Sequence, residues 1–132
     1  MREIIFRGKR TDNGEWVEGN LFIPDLASAE TEICIGTPRV RMCFAINPET
    51  VGQFTGLTDK NGKRIFEGDI IKNEYEKGKY QYFRIFFSNY SWGFANKYGM
   101  TGKLYNALGY LEVIGNIYDN PELLNDEREG RE

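Results

Sequence analysis

The sequence contains no histidine. Histidine is the commonest general acid and base, the commonest metal ligand and the usual partner of a serine or cysteine nucleophile. Because most familiar hydrolytic and metal sites need it, we expect no catalytic residue, no metal site and no cofactor. An enzyme of unidentified type ranks third, after the two binding hypotheses given below. Such an enzyme would have to use a lysine, a tyrosine or the carboxylates Glu67 and Asp69.

Long apolar runs are also missing. No window approaches the roughly 18 consecutive apolar residues of a membrane span. The N-terminal stretch MREIIFRGKR lacks the basic, apolar and small-residue order of a signal peptide. We therefore expect a cytoplasmic protein with no membrane partner.

Cysteine is scarce, with Cys34 and Cys43 the two in the chain. In a reducing cytoplasm a structural disulfide between them is not expected. Both are interpreted as small buried hydrophobic residues, which is the usual environment of a free cysteine.

The chain has little net charge, and that charge is unevenly placed. Six acids and two arginines lie from residue 119 onward, so this end carries −4, and the first 118 residues carry +1 of the total of −3. A nearly neutral body does not favour sequence-independent nucleic-acid binding, which needs a dense basic surface. A nearly neutral body is still compatible with a local basic patch.

What the sequence has in quantity is aromatic residues, 14 % of the chain, and glycine, with 15 copies among 132 residues. This composition favours an ordered, turn-rich β protein. Apolar and more polar residues alternate over RVRMCFAI at 39–46 and over KYQYFRIFFS at 79–88, which predicts strands. In DNPELL, Asn120 as N-cap and Pro121 at the first helical position predict a short C-terminal helix.

One phrase occurs twice, as TDNGEWVEGNLFI at residues 11–23 and as TDKNGKRIFEGDII at residues 58–71. Each copy places Asn-Gly where a type I′ hairpin turn would need it, and each has a glycine inside the following apolar arm. Such a glycine usually marks a bulge or bend. The predicted turn and bend residues are Asn13, Gly14, Gly19, Asn61, Gly62 and Gly68.

Together these patterns predict a mainly β protein in which β-hairpins form a bent, partly closed, barrel-like sheet, followed by the short C-terminal helix. We divide it into an N-terminal hairpin subdomain at residues 1–47, a barrel-like subdomain at 48–124 and a charged tail at 125–132. The two subdomains are expected to form one compact unit.

Three segments in this order resemble the YopX family of bacteriophage and prophage proteins: FRGKRTDNGEWVEGNLF, VGQFTGLTDKNGKRIFEGDII and EVIGNIYDNPELL. The resemblance covers essentially the whole chain. It implies a largely β phage protein of the bacterial host cytoplasm that could self-associate. It implies no activity and no catalytic residues, because the family has no established function.

Glu67 and Asp69 are two apart and would share one face of a strand, where paired carboxylates can shift each other's pKa or hold a divalent cation. An acid beside a glycine at a bend more commonly bonds a local backbone amide. The first copy of the phrase has Asn20 in place of Asp69, so we favour the structural interpretation.

Aromatic and basic residues interleave from Lys79 to Tyr98, as they do on sheets that stack nucleobases. Aromatic strands are more often core or protein interface. The leading hypothesis is a non-enzymatic module that binds a phage or host protein or its own copy, and the alternative is binding of single-stranded nucleic acid. The candidate binding residues in either case are Tyr80, Tyr82, Arg84, Tyr90 and Trp92.

Overall fold

Strands dominate the computed structural model of the chain, which describes residues 3–23, 31–36, 41–104 and 110–125. The strands are β1 (Phe6–Lys9), β2 (Trp16–Phe22), β3 (Glu32–Gly36), β4 (Arg41–Ala45), β5 (Gly52–Thr58), β6 (Arg64–Phe66), β7 (Asp69–Glu76), β8 (Lys79–Ser88), β9 (Ser91–Ala95), β10 (Thr101–Lys103) and β11 (Leu111–Asn116). Two short 3-10 helices cover Pro48–Thr50 and Pro121–Asn125. The mainly β prediction is confirmed.

The strands form two antiparallel sheets, one of six strands in the order β4-β3-β2-β1-β5-β6 and one of five in the order β10-β9-β8-β7-β11. Among the described residues neither sheet is closed, so the partly closed, barrel-like part of the fold prediction is wrong. The described residues contain no helix with the length and apolar character that crossing a membrane would require.

The chain divides into two compact units, residues 1–54 and 55–132. The first unit has a small core of Val17, Ile33 and Ile46, against which partly buried side chains pack, Phe6, Leu21, Phe44 and Val51. The alternation predicted around residue 42 corresponds to β4, which pairs with β3. The predicted charged tail lies almost wholly outside the described residues.

The second unit has the larger core, centred on one face of the five-stranded sheet. Its buried members are Ile65, Ile71, Phe83, Ile85, Leu104, Leu111 and Val113. Phe83 and Ile85 alternate along β8 with Tyr82 and Arg84, which point to the other face because side-chain direction reverses at every residue of a strand.

The predicted type I′ turns are wrong at both copies of the repeated phrase. Positive φ is confined to Gly14 (76°) and Gly62 (83°), while neither preceding asparagine has it. In the second copy the Gly62 N–H donates to the Asp59 carbonyl at 3.0 Å, so the loop ends in a left-handed glycine. Asn13 instead accepts the Glu15 N–H on its side chain at 2.9 Å, which replaces the backbone geometry that a primed turn would need.

The turn with a type I′ pattern is the one between β8 and β9. Asn89 (φ 53°) and Tyr90 (φ 65°) are both left-handed, and the flanking Ser88 and Ser91 are paired. Two consecutive residues with positive φ match the right-handed twist of the flanking strands.

Gly19 and Gly68 occupy corresponding positions in the two copies of the repeated phrase, and both are predicted to be bends. In the structure they have different roles. Gly68 (φ 91°) lies in the tight turn between β6 and β7. Gly19 lies within β2 opposite Phe6, and a Cβ there would come within 2.5 Å of the Cys34 carbonyl oxygen. Gly19 is therefore needed for close strand packing, whereas Gly68 is needed for its backbone conformation.

The prediction for the two cysteines is wrong. Cys34 of β3 is directly opposite Cys43 of β4, with Cα atoms 4.0 Å apart, and the two form a disulfide. Cys34 is buried, but Cys43 is exposed. An argument from cellular compartment could not detect this pairing, because it depends on the register of two strands.

The C-terminal segment also differs in detail from the prediction. It is a 3-10 helix that begins at Pro121. The Asn120 side chain does not cap it, because its oxygen accepts the Asn116 N–H at 3.2 Å. Asn120 therefore fixes the turn that follows β11.

Candidate functional site

The end of the β8–β9 hairpin presents aromatic side chains to solvent. Phe87 and Trp92 are directly opposite each other on the two strands, and their rings meet edge to face with centroids 4.9 Å apart. Phe87 is 51 % exposed, while Trp92 is partly buried against the core of the second unit. We call Phe87, Tyr90 and Trp92 the hairpin-end aromatic group.

Tyr90 is the extreme member of this group. Its side chain is 97 % exposed, and its backbone has a φ of 65°. Left-handed geometry at a bulky residue costs of order 1–3 kcal/mol and is concentrated at functional sites. A glycine or asparagine would satisfy the turn with less strain, so the turn alone does not explain a tyrosine here.

The other predicted binding residues lie on the opposite face of the same sheet. Tyr82 and Arg84 alternate with buried Phe83 and Ile85, whereas Trp92 pairs with Phe87 on the core face. The structure therefore does not bring the five candidate residues together on one face. Tyr80, Tyr82 and Arg84 share a face, Trp92 lies on the other, and Tyr90 occupies the turn.

The face that carries Tyr80, Tyr82 and Arg84 combines rings with cations. The Lys72 ammonium lies 4.5 Å from the centre of the Tyr80 ring, and the Arg84 guanidinium lies 5.2 Å from that of Phe86. Lys72 also approaches the Glu112 carboxylate at 3.7 Å. This acid offsets part of the positive charge of the face.

An open groove of about 370 Å³ continues this face beside the turn. Its lining includes Phe86, Ser88, Asn89, Ser91, Gly93, Thr101, Gly102 and Lys103. The Lys103 ammonium donates to the Ser91 hydroxyl at 2.8 Å. Sequence reasoning missed Lys103 because β10 is only three residues long and gives no alternation signal.

Asp59 is a second candidate group that sequence reasoning missed. Its side chain is 6 % exposed. One carboxylate oxygen accepts the backbone N–H groups of Asn61 and Lys63, both at 2.9 Å, and the other accepts that of Val113, also at 2.9 Å. Asp59 thus ties the β5–β6 loop to β11, across 54 residues of sequence.

The pKa of Asp59 lies below its usual value. Burial raises this pKa, but the hydrogen bonds from the backbone N–H groups of Val113, Lys63 and Asn61 lower it by more in total, with a further contribution from the charge of Lys63. All three bonds favour the ionised form. Asp59 is therefore a structural carboxylate, not a proton donor held ready for catalysis.

This pKa predicts acid sensitivity. Because the pKa of Asp59 is lower in the folded than in the unfolded chain, the stabilisation is complete above the unfolded value of about 4 and is lost as the pH falls through the folded value. We expect the free energy of unfolding, measured by urea titration, to fall progressively as the pH is lowered below about 5. The fall should be shallower in Asp59→Asn, and equal slopes in the two proteins would contradict the assignment.

The two carboxylates of the predicted Glu67–Asp69 pair differ in burial. Asp69 is 1 % exposed, and its carboxylate accepts the Phe66 N–H at 2.7 Å. Glu67 is partly buried, in the turn between β6 and β7. Asp69 therefore bonds a local backbone amide.

The family model described as YopX protein matches residues 5–125. The chain belongs to the YopX family. No curated protein matches it.

Two solved structures resemble this YopX-family protein along nearly the whole chain. Protein EF1440 from Enterococcus faecalis is 25 % identical with a TM-score of 0.60, and the match covers 94 % of this chain and 99 % of that one. Protein YopX from Bacillus subtilis is 18 % identical with a TM-score of 0.59, and the match covers 94 % and 97 %. The second likeness shows the fold alone.

The segments that carry the family resemblance have structural roles in this chain. TDKNGK contains Asp59 and its loop, and EGD contains the turn at Gly68 and buried Asp69. In GNIYDN, the Asn116 side-chain oxygen accepts the N–H groups of Tyr118 at 3.0 Å and Asp119 at 2.9 Å. In this chain the segments therefore supply turns and backbone hydrogen bonds to the fold.

Proposed function

We propose that this YopX-family protein is a non-enzymatic phage or prophage accessory protein that binds a protein partner through the hairpin-end aromatic group. The partner is a phage or host protein or a second copy of the chain. The observation that carries the proposal is Tyr90, a fully exposed tyrosine in a left-handed backbone conformation at the same end of the hairpin as the exposed Phe87.

Aromatic side chains supply large contact areas at low entropic cost, and they dominate the few interface residues that carry most of the binding energy. Tyr90 stands on a two-residue turn between paired serines. The strands hold the turn, so little backbone freedom would be lost on binding. Phe87 and Trp92, already in contact, add a preformed apolar platform at the same end of the hairpin.

An enzymatic role receives no support from the two most buried carboxylates of the described chain. Asp59 and Asp69 both accept backbone N–H groups within the second unit. The proposal includes a location in the cytoplasm of the bacterial host, because the chain resembles proteins encoded by phages and prophages.

The test is capture of partners by the tagged protein from prophage-carrying cells, together with sedimentation of the purified protein over a range of concentrations. Tyr90→Asn removes the ring but keeps a residue that tolerates positive φ. We expect it to weaken the recovered interaction about tenfold or more, as loss of a central interface aromatic does.

Tyr98→Asn is the matched control, because Tyr98 is also exposed, at 67 %, and lies in the β9–β10 turn of the same sheet. It should leave the interaction unchanged. Equal losses in the two variants, or no loss in Tyr90→Asn, would contradict the assignment to this end of the hairpin.

A second candidate function, binding of single-stranded nucleic acid, is favoured by the face that groups Tyr80, Tyr82 and Arg84. Stacking of bases on aromatic rings, with cations along the backbone, is the usual mode of such binding. Recovery that collapses on nuclease treatment, with affinity that falls steeply with salt and with Tyr82→Ala, would select this function over the first.

A further inference from the structure

The β3–β4 hairpin gathers sulfur and carboxylate donors on one face of its sheet. Glu32 and Cys34 are two apart on β3, so their side chains point to the same side. Cys43 is directly opposite Cys34 on β4. One ligand atom from each of the three residues, Glu32, Cys34 and Cys43, lies within 4.8 Å of the others.

We propose that the reduced form of this cluster binds one zinc-class divalent cation through the Cys34 and Cys43 thiolates and the Glu32 carboxylate. The site is thus available only when the disulfide is open. The same two strands would then be joined either by a sulfur–sulfur bond or by a metal ion.

The chemistry of opening needs an external thiol reductant. Two molecules of a small thiol deliver two electrons to the Cys34–Cys43 bond and leave as their own disulfide, and each cysteine sulfur takes up one proton. The cation then displaces both protons to solvent as the thiolates coordinate it, because metal binding requires deprotonated ligands.

The donor set selects the class of cation. Two thiolates favour zinc and other borderline or soft ions over magnesium and calcium, which prefer all-oxygen sites. Zinc sites are tetrahedral with Zn–S distances of about 2.3 Å, so neighbouring ligand atoms stand about 3.8 Å apart. Once the disulfide is open, the two sulfurs have to move apart to that separation, and the Glu32 carboxylate oxygen, within 4.8 Å of both, has to approach them by at most about 1 Å.

Burial within the cluster is graded. Cys34 is 6 % exposed, Glu32 is partly buried and Cys43 is exposed. A cation can therefore enter from the Cys43 side, and a water molecule can complete a fourth coordination position there. Cys43 is also the sulfur that a solution thiol reaches first, since thiol exchange depends on access to the attacked sulfur.

The experiment uses the full chain reduced with a phosphine, which leaves no competing thiol. Cobalt(II) is the spectroscopic probe, and zinc is titrated against a chromophoric chelator. We expect one cobalt per chain, with the thiolate charge-transfer absorption that two Co–S bonds produce, and displacement of cobalt by zinc. The oxidised protein should show neither the absorption nor zinc uptake.

Three variants assign the ligands. Cys43→Ser replaces an exposed side chain, so the protein should stay folded, and the charge-transfer absorption should fall to half or less. Glu32→Gln should weaken zinc affinity by at least about tenfold, since even outer-shell partners of metal ligands contribute 10–100-fold. Glu18→Gln, which removes an exposed carboxylate from the same sheet face, should change nothing.

Specific results would overturn the proposal. The three-ligand site would be excluded if cobalt bound without the thiolate charge-transfer bands, or if Cys43→Ser left the zinc affinity unchanged. It would also be excluded if Glu32→Gln and Glu18→Gln lowered the zinc affinity equally. One metal per two chains, with dimerisation on metal addition, would also exclude a site built within one chain.

Discussion

Asp59→Ala is expected to lower the free energy of unfolding by roughly 3–5 kcal/mol. The substitution leaves the N–H groups of Asn61, Lys63 and Val113 without their acceptor. Loss of the buried bond to Val113 costs about 1–3 kcal/mol, and loss of each part-buried loop bond about 0.5–1.5 kcal/mol. Two of these amides shape the β5–β6 loop, and the third holds β11. Since a domain of this size is stable by only about 5–15 kcal/mol, the variant should lose much of its margin. Urea denaturation at pH 7 measures the change.

A graded series separates loss of the carboxylate from loss of charge alone. Asp59→Asn keeps one acceptor oxygen but must turn an amide NH2 toward one of the donors, so its cost should be intermediate. Asp12→Asn is the control, because Asp12 is an exposed acid that pairs with Arg10 at 2.6 Å, and it should leave stability nearly unchanged. If Asp59→Ala proved as stable as Asp12→Asn, the three hydrogen bonds would not contribute to stability as the structure indicates.

Asp59 also shows why part of the structure could not be predicted from the sequence. The TDKNGK stretch marks a turn, and a local pattern can place an aspartate there. Its partner Val113 lies 54 residues away, and nothing in the spacing of the two residues connects them. Long-range bonds of this kind become visible only when the strand order is known.

Strand parity explains the outcome for the predicted binding residues. Alternation along 79–88 correctly separates Phe83 and Ile85 from Tyr82 and Arg84. The face of Trp92, however, depends on how many residues form the turn before it. Two turn residues, Asn89 and Tyr90, pair Trp92 with Phe87 and place it on the core face, because a shift of one residue reverses every side chain.

The same limit applies to the cysteines. Composition and compartment predict free thiols, while the register of β3 and β4 puts Cys34 opposite Cys43. A local pattern predicts each strand, but not the register that places the two cysteines opposite each other. The overall strand content needs no such information, and for that reason it was predicted correctly.

Gly68→Val is the second substitution for which we expect a large effect, a loss of about 3 kcal/mol in the free energy of unfolding. Gly68 has a φ of 91°, and left-handed geometry costs an L residue about 1–2 kcal/mol, with more for a β-branched one. The residue is buried, and its N–H and carbonyl bond Ile85 and Ile117 at 3.0 and 2.9 Å. Glu67→Gln at the neighbouring position should change the melting temperature little.

Substitutions at Gly19, compared with the same substitutions at Gly68, test whether the two glycines have separate roles. A Cβ at Gly19 would stand 2.5 Å from the Cys34 carbonyl oxygen, so any side chain must push β2 and β3 apart. At Gly68 asparagine, which tolerates positive φ, should cost less than alanine. At Gly19 asparagine should cost more than alanine, because only size matters there. Urea denaturation gives the loss of unfolding free energy for each substitution. If alanine and asparagine ranked in the same order at both positions, the two glycines would have the same role, as the repeated phrase suggests.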